Sequence, residues 1–280
     1  MKKVLITGAA GLVGSRIVEL LDGKYAFIPL SSKDMDITDR DAVHERLSSL
    51  TYDAILHLAG YTNVDGAEKE KETAYRINEQ GTKNLVEMAS SQKKQFIYIS
   101  TDFVFDGNMP PYVETSDPHP ISIYGDSKYK GELAVGKNGM IVRIAYPYRA
   151  QFDKKKDIVR ILKSVLEAGK PLSMIGDSLM VPTFIDDIAG GLDYLLTQYE
   201  STVFHLVGKD ALTPFDMAQQ IAHTFKLDAS LISKTSYDTY FAGKAKRPKK
   251  CDIRSIKNTF YAMSSLEEGL TIIKKQLNVI

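Results

Sequence analysis

Short apolar and β-branched runs punctuate the first half of the chain at regular intervals. They are KVLIT, ending at Thr7, YAFIPL over Tyr25–Leu30, DAILHLA over Asp53–Ala59, QFIYIS over Gln95–Ser100 and MIVRIA over Met140–Ala145. Between them, segments of helical period fall at about Leu12–Leu21, Arg40–Leu50, Ala67–Ser90 and Ile121–Val135. Strand and helix in alternation predict parallel strands joined by right-handed crossovers, so the expected fold class is α/β with a doubly wound parallel sheet.

After Ala145 the alternation loosens. A charged run, FDKKKD, leads into the helix-like IVRILKSVLEAG, then PLSMIG, VPTFI and DDIAGGLDYLL follow, and TPFDMAQQIAHTF precedes a Lys-rich segment. No linker rich in Gly, Pro or Ser separates the halves. The expected division is a sheet domain over 1–145, to which 175–207 returns, and a smaller C-terminal substrate-binding lobe built from 146–174 and 208–280. No repeat or low-complexity tract is visible.

Composition narrows the classes. With 280 residues, 44% hydrophobic and 25% charged, the chain is long enough for a main domain plus a smaller lobe, and neither disorder nor a membrane-embedded fold is expected. Its 36 Lys and Arg against 35 Asp and Glu give no electrostatic reason to expect nucleic acid or an anionic membrane as partner. Cys251 is alone, so no internal disulfide forms, and His44, His57, His119, His205 and His223 lack metal-ligand spacing. A cytoplasmic location without structural zinc is expected. The opening MKKVLITGAAGLVGS has two lysines before an apolar stretch, but glycines interrupt it and Arg16 and Glu19 follow, so it reads as folded protein and not as a leader.

TGAAGLVGS places Gly8, Gly11 and Gly14 after the first strand and at the start of the first helix, the context that gives a glycine pattern its meaning. Here Gly8 turns the chain, Gly11 lets backbone approach a pyrophosphate, and Gly14 permits close packing, with the helix N-terminus favouring phosphate. Leu12 and Val13 line the same loop, and 1–145 reads as a Rossmann-type NADP-binding domain. Where an NAD-preferring site ends its second strand in an acid, this chain has Ser31, Ser32 and Lys33, which favours the 2'-phosphate of NADPH; Asp34 keeps NADH open. Asp36 and Ile37 are placed at the adenine, and Leu58, Ala59 and Gly60 near the ribose.

YGDSK sets Tyr124 and Lys128 one helical turn apart, on one face. A neighbouring ammonium favours phenolate, so the pair can serve as a tuned proton donor. The pair follows a strand ending in Ser100 and Thr101, in a chain carrying the glycine fingerprint. Together these features resemble the extended short-chain dehydrogenase/reductases. The resemblance implies that Thr101 binds the substrate oxygen, that Tyr124 transfers the proton, and that Lys128 lowers the Tyr124 pKa and holds the nicotinamide ribose.

Longer stretches sharpen the resemblance to one branch, the dTDP-4-dehydrorhamnose reductases: GYTNVDGAEKE, AYRINEQGTKNLVE, STDFVFDG, PYVETSDPHPISIYGDSKYKGE, VRIAYPY, VPTFIDDIA and KRPKKCDIR, in the family's order from Gly8 to about Arg254. This implies reduction of the C4 ketone of a dTDP-6-deoxyhexose by NADPH. Asp102 and Phe103 would orient the sugar, and Arg247 of the Arg247-Pro248 pair would grip the diphosphate. Tyr61, Thr62, Val64 and Asp65 fall at the cofactor and substrate edge, and Asn78 reads as a helix residue supporting the site.

The chain also departs from the branch. GLVG stands for Gly-Gln-Leu-Gly, HLAGYT for a run of Asn and Ala, Tyr146 for a sugar-contacting Trp, and GDSLMVPT lacks the usual Gln. Some members use magnesium at a dimer interface; Asp186 and Asp187 lie in a plausible stretch, but no metal is assigned to them. Two other readings stay open. One is an NADP-binding regulatory subunit resembling that of methionine adenosyltransferase; the other is a nucleotide-sugar epimerase or a reductase of other specificity. The expected partner is a small nucleotide sugar, and a homodimer is an open alternative to a monomer.

Overall fold

A computed structural model describes residues 1–278. Its elements run β1 (Lys3–Thr7), α1 (Leu12–Leu21), β2 (Ala26–Leu30), α2 (Arg40–Ser48), β3 (Ala54–His57), α3 (Val64–Lys69), α4 (Lys71–Tyr75), α5 (Thr82–Ser91), β4 (Gln95–Thr101), α6 (Ile123–Val135) and β5 (Met140–Ile144). The later chain adds β6 (Pro147–Tyr148), α7 (Ile158–Glu167), β7 (Leu172–Ile175), β8 (Thr183–Phe184), α8 (Ile185–Thr197), β9 (Val203–His205), α9 (Pro214–Phe225), β10 (Ile232–Thr235), α10 (Tyr237–Tyr240) and α11 (Leu266–Asn278).

Six strands form one parallel sheet in the order β2-β1-β3-β4-β5-β9. Successive residues point to opposite faces, and both faces are covered. Val4 and Ile6, Ala54 and Leu56, and Ile97 and Ile99 pack on the face covered by α8, through Ile188, Leu192 and Leu195. Leu5, Ile55, Phe96 and Tyr98 pack on the other, with Leu85, Val86 and Ala89 of α5. Burying each large side chain contributes roughly 1.5–3 kcal/mol, which fixes the register, because a one-residue slip would exchange the two faces. The fold is Rossmann-like. The order reverses direction between β1 and β3, so ligands are expected outside the carboxyl ends of those strands.

A separate apolar core gathers α7, α9 and α11 through Leu162, Leu166, Met217, Ile221, Leu270 and Ile273. Two short parallel pairs, β7 with β10 and β6 with β8, lie outside the main sheet. Among the described residues no helix is long and apolar enough to cross a membrane.

The helix predicted over Ala67–Ser90 is not continuous. Glu70 leaves helical geometry at φ −115° and ψ 48°, separating α3 from α4, and Arg76–Gly81 form a π-helical turn before α5. A wider turn rotates α5 relative to α4 without disturbing an averaged apolar period, so the pattern could not reveal it. Such turns concentrate at functional sites, and this one carries Asn78.

Candidate active site

The loop after β1 closes on itself, with the Gly11 N–H donating to the Gly8 carbonyl at 2.9 Å. Gly11 is the N-cap of α1 and supplies no side chain to the first-turn N–H groups, which stay available for an anion. Packing explains Gly14: a Cβ there would lie 2.4 Å from the Gly8 carbonyl oxygen. Leu12 and Val13 pack partly buried beneath the loop. These features fit a dinucleotide pyrophosphate. Gly14→Ala is expected to weaken NADPH binding at least about tenfold, because the loop must open to admit the methyl group; titration calorimetry with NADPH measures it, and unchanged affinity would remove this loop from the cofactor site.

At the end of β2, Ser31, Ser32 and Lys33 are exposed. Asp34 folds back over them, accepting from the Ser31 N–H at 2.8 Å and the Ser31 hydroxyl at 2.6 Å, and these bonds hold its carboxyl below the usual range. Asp36 accepts from the Thr38 N–H and hydroxyl, and the Ile37 carbonyl accepts from Asn84. Across the crevice, Leu58, Ala59 and Gly60 leave β3. The Ala59 N–H donates to Thr7 Oγ1 at 3.2 Å.

That bond belongs to a chain crossing the sheet. Thr7 Oγ1 lies 2.6 Å from His57 Nδ1, His57 Nε2 lies 3.1 Å from Thr82 Oγ1, and Thr82 donates to the Asn78 carbonyl at 2.7 Å. Since the Thr82 proton goes to Asn78, Thr82 accepts from His57, which makes His57 the neutral Nε2–H tautomer. Burial pulls His57 down to about 3, and the charge of Lys128 acts in the same direction.

Asn78 joins two walls of the site. Its side chain accepts from the Tyr61 N–H at 2.8 Å and donates to the Tyr61 carbonyl at 3.0 Å and to Ser127 Oγ at 2.9 Å. The bonds to Tyr61 clamp the loop after β3, and the bond to Ser127 reaches α6 between Tyr124 and Lys128. Sequence reasoning gave Asn78 a supporting place but missed the π turn that delivers it.

Thr101 ends β4, donating to Asp102 Oδ1 at 3.0 Å and accepting from the Phe103 N–H at 3.3 Å. The start of α6 presses on the next turn so closely that a Cβ on Gly125 would lie 2.2 Å from the Phe103 carbonyl oxygen. Glycine in YGDSK is thus what lets Tyr124 approach Thr101. The Tyr124 ring meets Phe103 edge-on at 5.4 Å, and Phe103 lies 6.3 Å from the Tyr146 ring. Burial pushes the Tyr124 hydroxyl up to about 12, with the Thr101 hydroxyl opposing the shift and Asp102 adding to it.

Lys128 is buried and donates to the Ile99 carbonyl at 2.8 Å, with its ammonium 4.0 Å from the centre of the Tyr98 ring. Burial pulls it down to about 7, against the pull of Glu132. The expected lowering of Tyr124 by Lys128 is not what this structure displays: desolvation of the phenol dominates, and the ammonium is engaged with Ile99 and Tyr98. The second half of α6 is tied to β5 by a buried ion pair, Glu132 with Arg143 at 2.6 and 2.9 Å.

Asp102 is also buried, and burial raises it to about 6 against hydrogen bonds from Thr101 and Cys251. Asp102 Oδ2 and Ser100 Oγ are buried without a partner, so the carboxyl end of β4 carries polar capacity that a polar ligand would satisfy. Tyr146 is in left-handed geometry at φ 39°, and burial raises its phenol well above its ordinary value, with the charge of Asp102 adding to the shift.

Arg247 reaches the same cleft but is engaged: Nη2 donates to Asp65 Oδ2 at 2.8 Å and Nη1 to the Ala245 carbonyl at 2.8 Å. The sequence placed Asp65 at the edge without suggesting this pairing. Asp186 accepts two bonds from Arg16 at 2.7 Å and one from Gln276, and Asp187 accepts from the Ser264 N–H.

The profile of the family described as the RmlD substrate binding domain matches residues 1–276. A probable low-salt glycan biosynthesis reductase of Haloferax volcanii is 33% identical over 82% of this chain and 82% of its own length. The solved dTDP-4-dehydrorhamnose reductase from Bacillus anthracis, in complex with NADP, superposes with a TM-score of 0.89 at 30% identity, covering 99% of both chains. Subunit beta of methionine adenosyltransferase 2 from Rattus norvegicus is 28% identical over 90% of this chain and 80% of its own length. A match along nearly the whole sequence, with a solved member superposing on the whole fold, establishes that the chain belongs to the dTDP-4-dehydrorhamnose reductase family.

Proposed function

We propose that the protein reduces the C4 keto group of a dTDP-6-deoxyhexose, the step that yields dTDP-L-rhamnose, with NADPH as reductant. The observation that carries the reading is the convergence of Thr101, Tyr124 and Lys128 at the carboxyl end of β4, beside the glycine loop, in a chain similar throughout to an NADP-bound reductase.

The glycine loop and the first turn of α1 would hold the pyrophosphate, Ser31, Ser32 and Lys33 the adenosine phosphate, and Leu58, Ala59 and Gly60 the ribose. The bound nicotinamide supplies the hydride. Tyr124 gives its proton to the C4 oxygen; a phenol near 12 keeps that proton until negative charge develops on the oxygen. Thr101 steadies the same oxygen by giving up its bond to Asp102, which leaves the buried Asp102 to accept from a sugar hydroxyl. Phe103 and Tyr146 form the apolar wall that excludes water, and a fixed donor acts most strongly where water is excluded. The lobe around α7, α9 and α11 is read as closing over the sugar nucleotide.

The direct test is loss of NADPH absorbance on adding dTDP-4-dehydro-6-deoxy-L-lyxo-hexose. One NADPH consumed per sugar is expected. An epimerase would regenerate its nicotinamide, and NADPH binding without sugar-dependent oxidation would overturn the reductase reading in favour of the NADP-binding regulatory subunit.

A further inference from the structure

The Asp65–Arg247 contact has the form of an oxyanion site filled by the protein's own carboxylate. Two donors converge on Asp65, and a third group adds positive charge nearby. The Arg247 guanidinium meets Oδ2 at 2.8 Å, the Ala245 N–H meets Oδ1 at 3.0 Å, and the charge of Lys244 acts on the same group. The frame is stiff. Arg247 lies over the Phe241 ring at 4.5 Å, and the Tyr237 hydroxyl donates to the Arg247 carbonyl while accepting from the Arg247 N–H at 3.2 Å. Asp65 is the loose member: its side chain is 51% exposed, against 14% for Arg247. The charge of Arg247 also acts on the Tyr146 phenol, and the Tyr146 ring lies 6.3 Å from Phe103, which meets Tyr124 edge-on.

We infer that Asp65 is a specificity residue that competes with the substrate diphosphate for Arg247 and the Ala245 N–H, so that only an anion stronger than one carboxylate gains entry. The inference rests on the reading of Arg247 as the diphosphate contact. A carboxylate brings one charge and two oxygens, whereas a diphosphate brings at least two charges and more acceptors, and the guanidinium fork fits either. A neutral sugar or simple ketone offers nothing to displace Asp65. Displacement also releases α3 from the 236–250 segment, which this pair bridges.

Titration calorimetry with thymidine diphosphate, on the full chain saturated with NADPH, tests it. Asp65→Asn is expected to bind about fivefold more tightly than wild type, the scale of a partly exposed ion pair. Asp65→Ser should shift in the same direction, and Arg247→Ala should bind at least about tenfold more weakly. In the Arg247→Ala background, Asp65→Asn should change affinity less than about twofold, because the two residues act through one contact. Equal or weaker binding by Asp65→Asn, with Arg247→Ala still impaired, would make Asp65 a mere anchor and overturn the inference while leaving the diphosphate contact standing. Tightening that persists without Arg247 would reveal general charge repulsion and overturn it too. Wild type and Arg247→Ala binding alike, or not at all, would remove the diphosphate contact itself, and the inference with it.

Discussion

Tyr124→Phe is expected to lower kcat by about 10²–10⁴-fold while NADPH affinity stays within about twofold of wild type. The substitution removes one hydroxyl and keeps the ring, whose edge-on contact with Phe103 at 5.4 Å and place on α6 are unchanged. The hydroxyl is the group raised to about 12 by burial, so it is a poor acid in the resting site and a good one only toward an oxygen gaining negative charge. Its loss should therefore fall on the transition state and leave binding intact, lowering kcat and kcat/KM together. Sugar-dependent NADPH oxidation, with calorimetry for cofactor affinity, makes the comparison. Turnover at the wild-type rate would exclude Tyr124 as the proton donor.

What the sequence disclosed and what it hid divide along sequence distance. The five strands of the first half are legible because each is a continuous apolar run, and α1 is legible because its glycines, strand and amphipathic face lie within one short stretch. Thr101, Tyr124 and Lys128 could be named because each sits at a recognisable point of such an element. What they touch could not be. Lys128 meets the Ile99 carbonyl and the Tyr98 ring, and these become its surroundings only when α6 packs on β4. Asp65 and Arg247 stand 182 positions apart, and neither neighbourhood signals the other. The π turn under Asn78 escapes for another reason: an inserted residue in a helix leaves the apolar period nearly intact while redirecting one polar side chain into the site. Gly81 closes the turn where a Cβ would lie 2.7 Å from Ile37, a constraint that only the folded structure displays.

Lys128→Met is expected to lose turnover by at least about 100-fold, to bind NADPH more weakly, and to change how stability depends on pH. The first two effects come from its proposed place between the ribose and Tyr124. The third comes from burial alone. A lysine in the unfolded chain titrates near 10.4, whereas in the folded protein Lys128 is pulled down to about 7. Between those values the unfolded chain binds the proton and the folded protein does not, so this group's contribution to stability is full above about 10.4 and is lost as pH falls from there to the folded value near 7. Methionine has a similar reach and does not titrate. Wild type should therefore gain on the variant from pH 7 to pH 10 by on the order of 3 kcal/mol, read from urea unfolding at the two pH values. A difference that stays flat over this window would show that Lys128 keeps its proton in the folded protein, its charge held by the Ile99 carbonyl and the face of Tyr98. The ammonium would then be permanent, and its influence on Tyr124 would be constant across the working pH range.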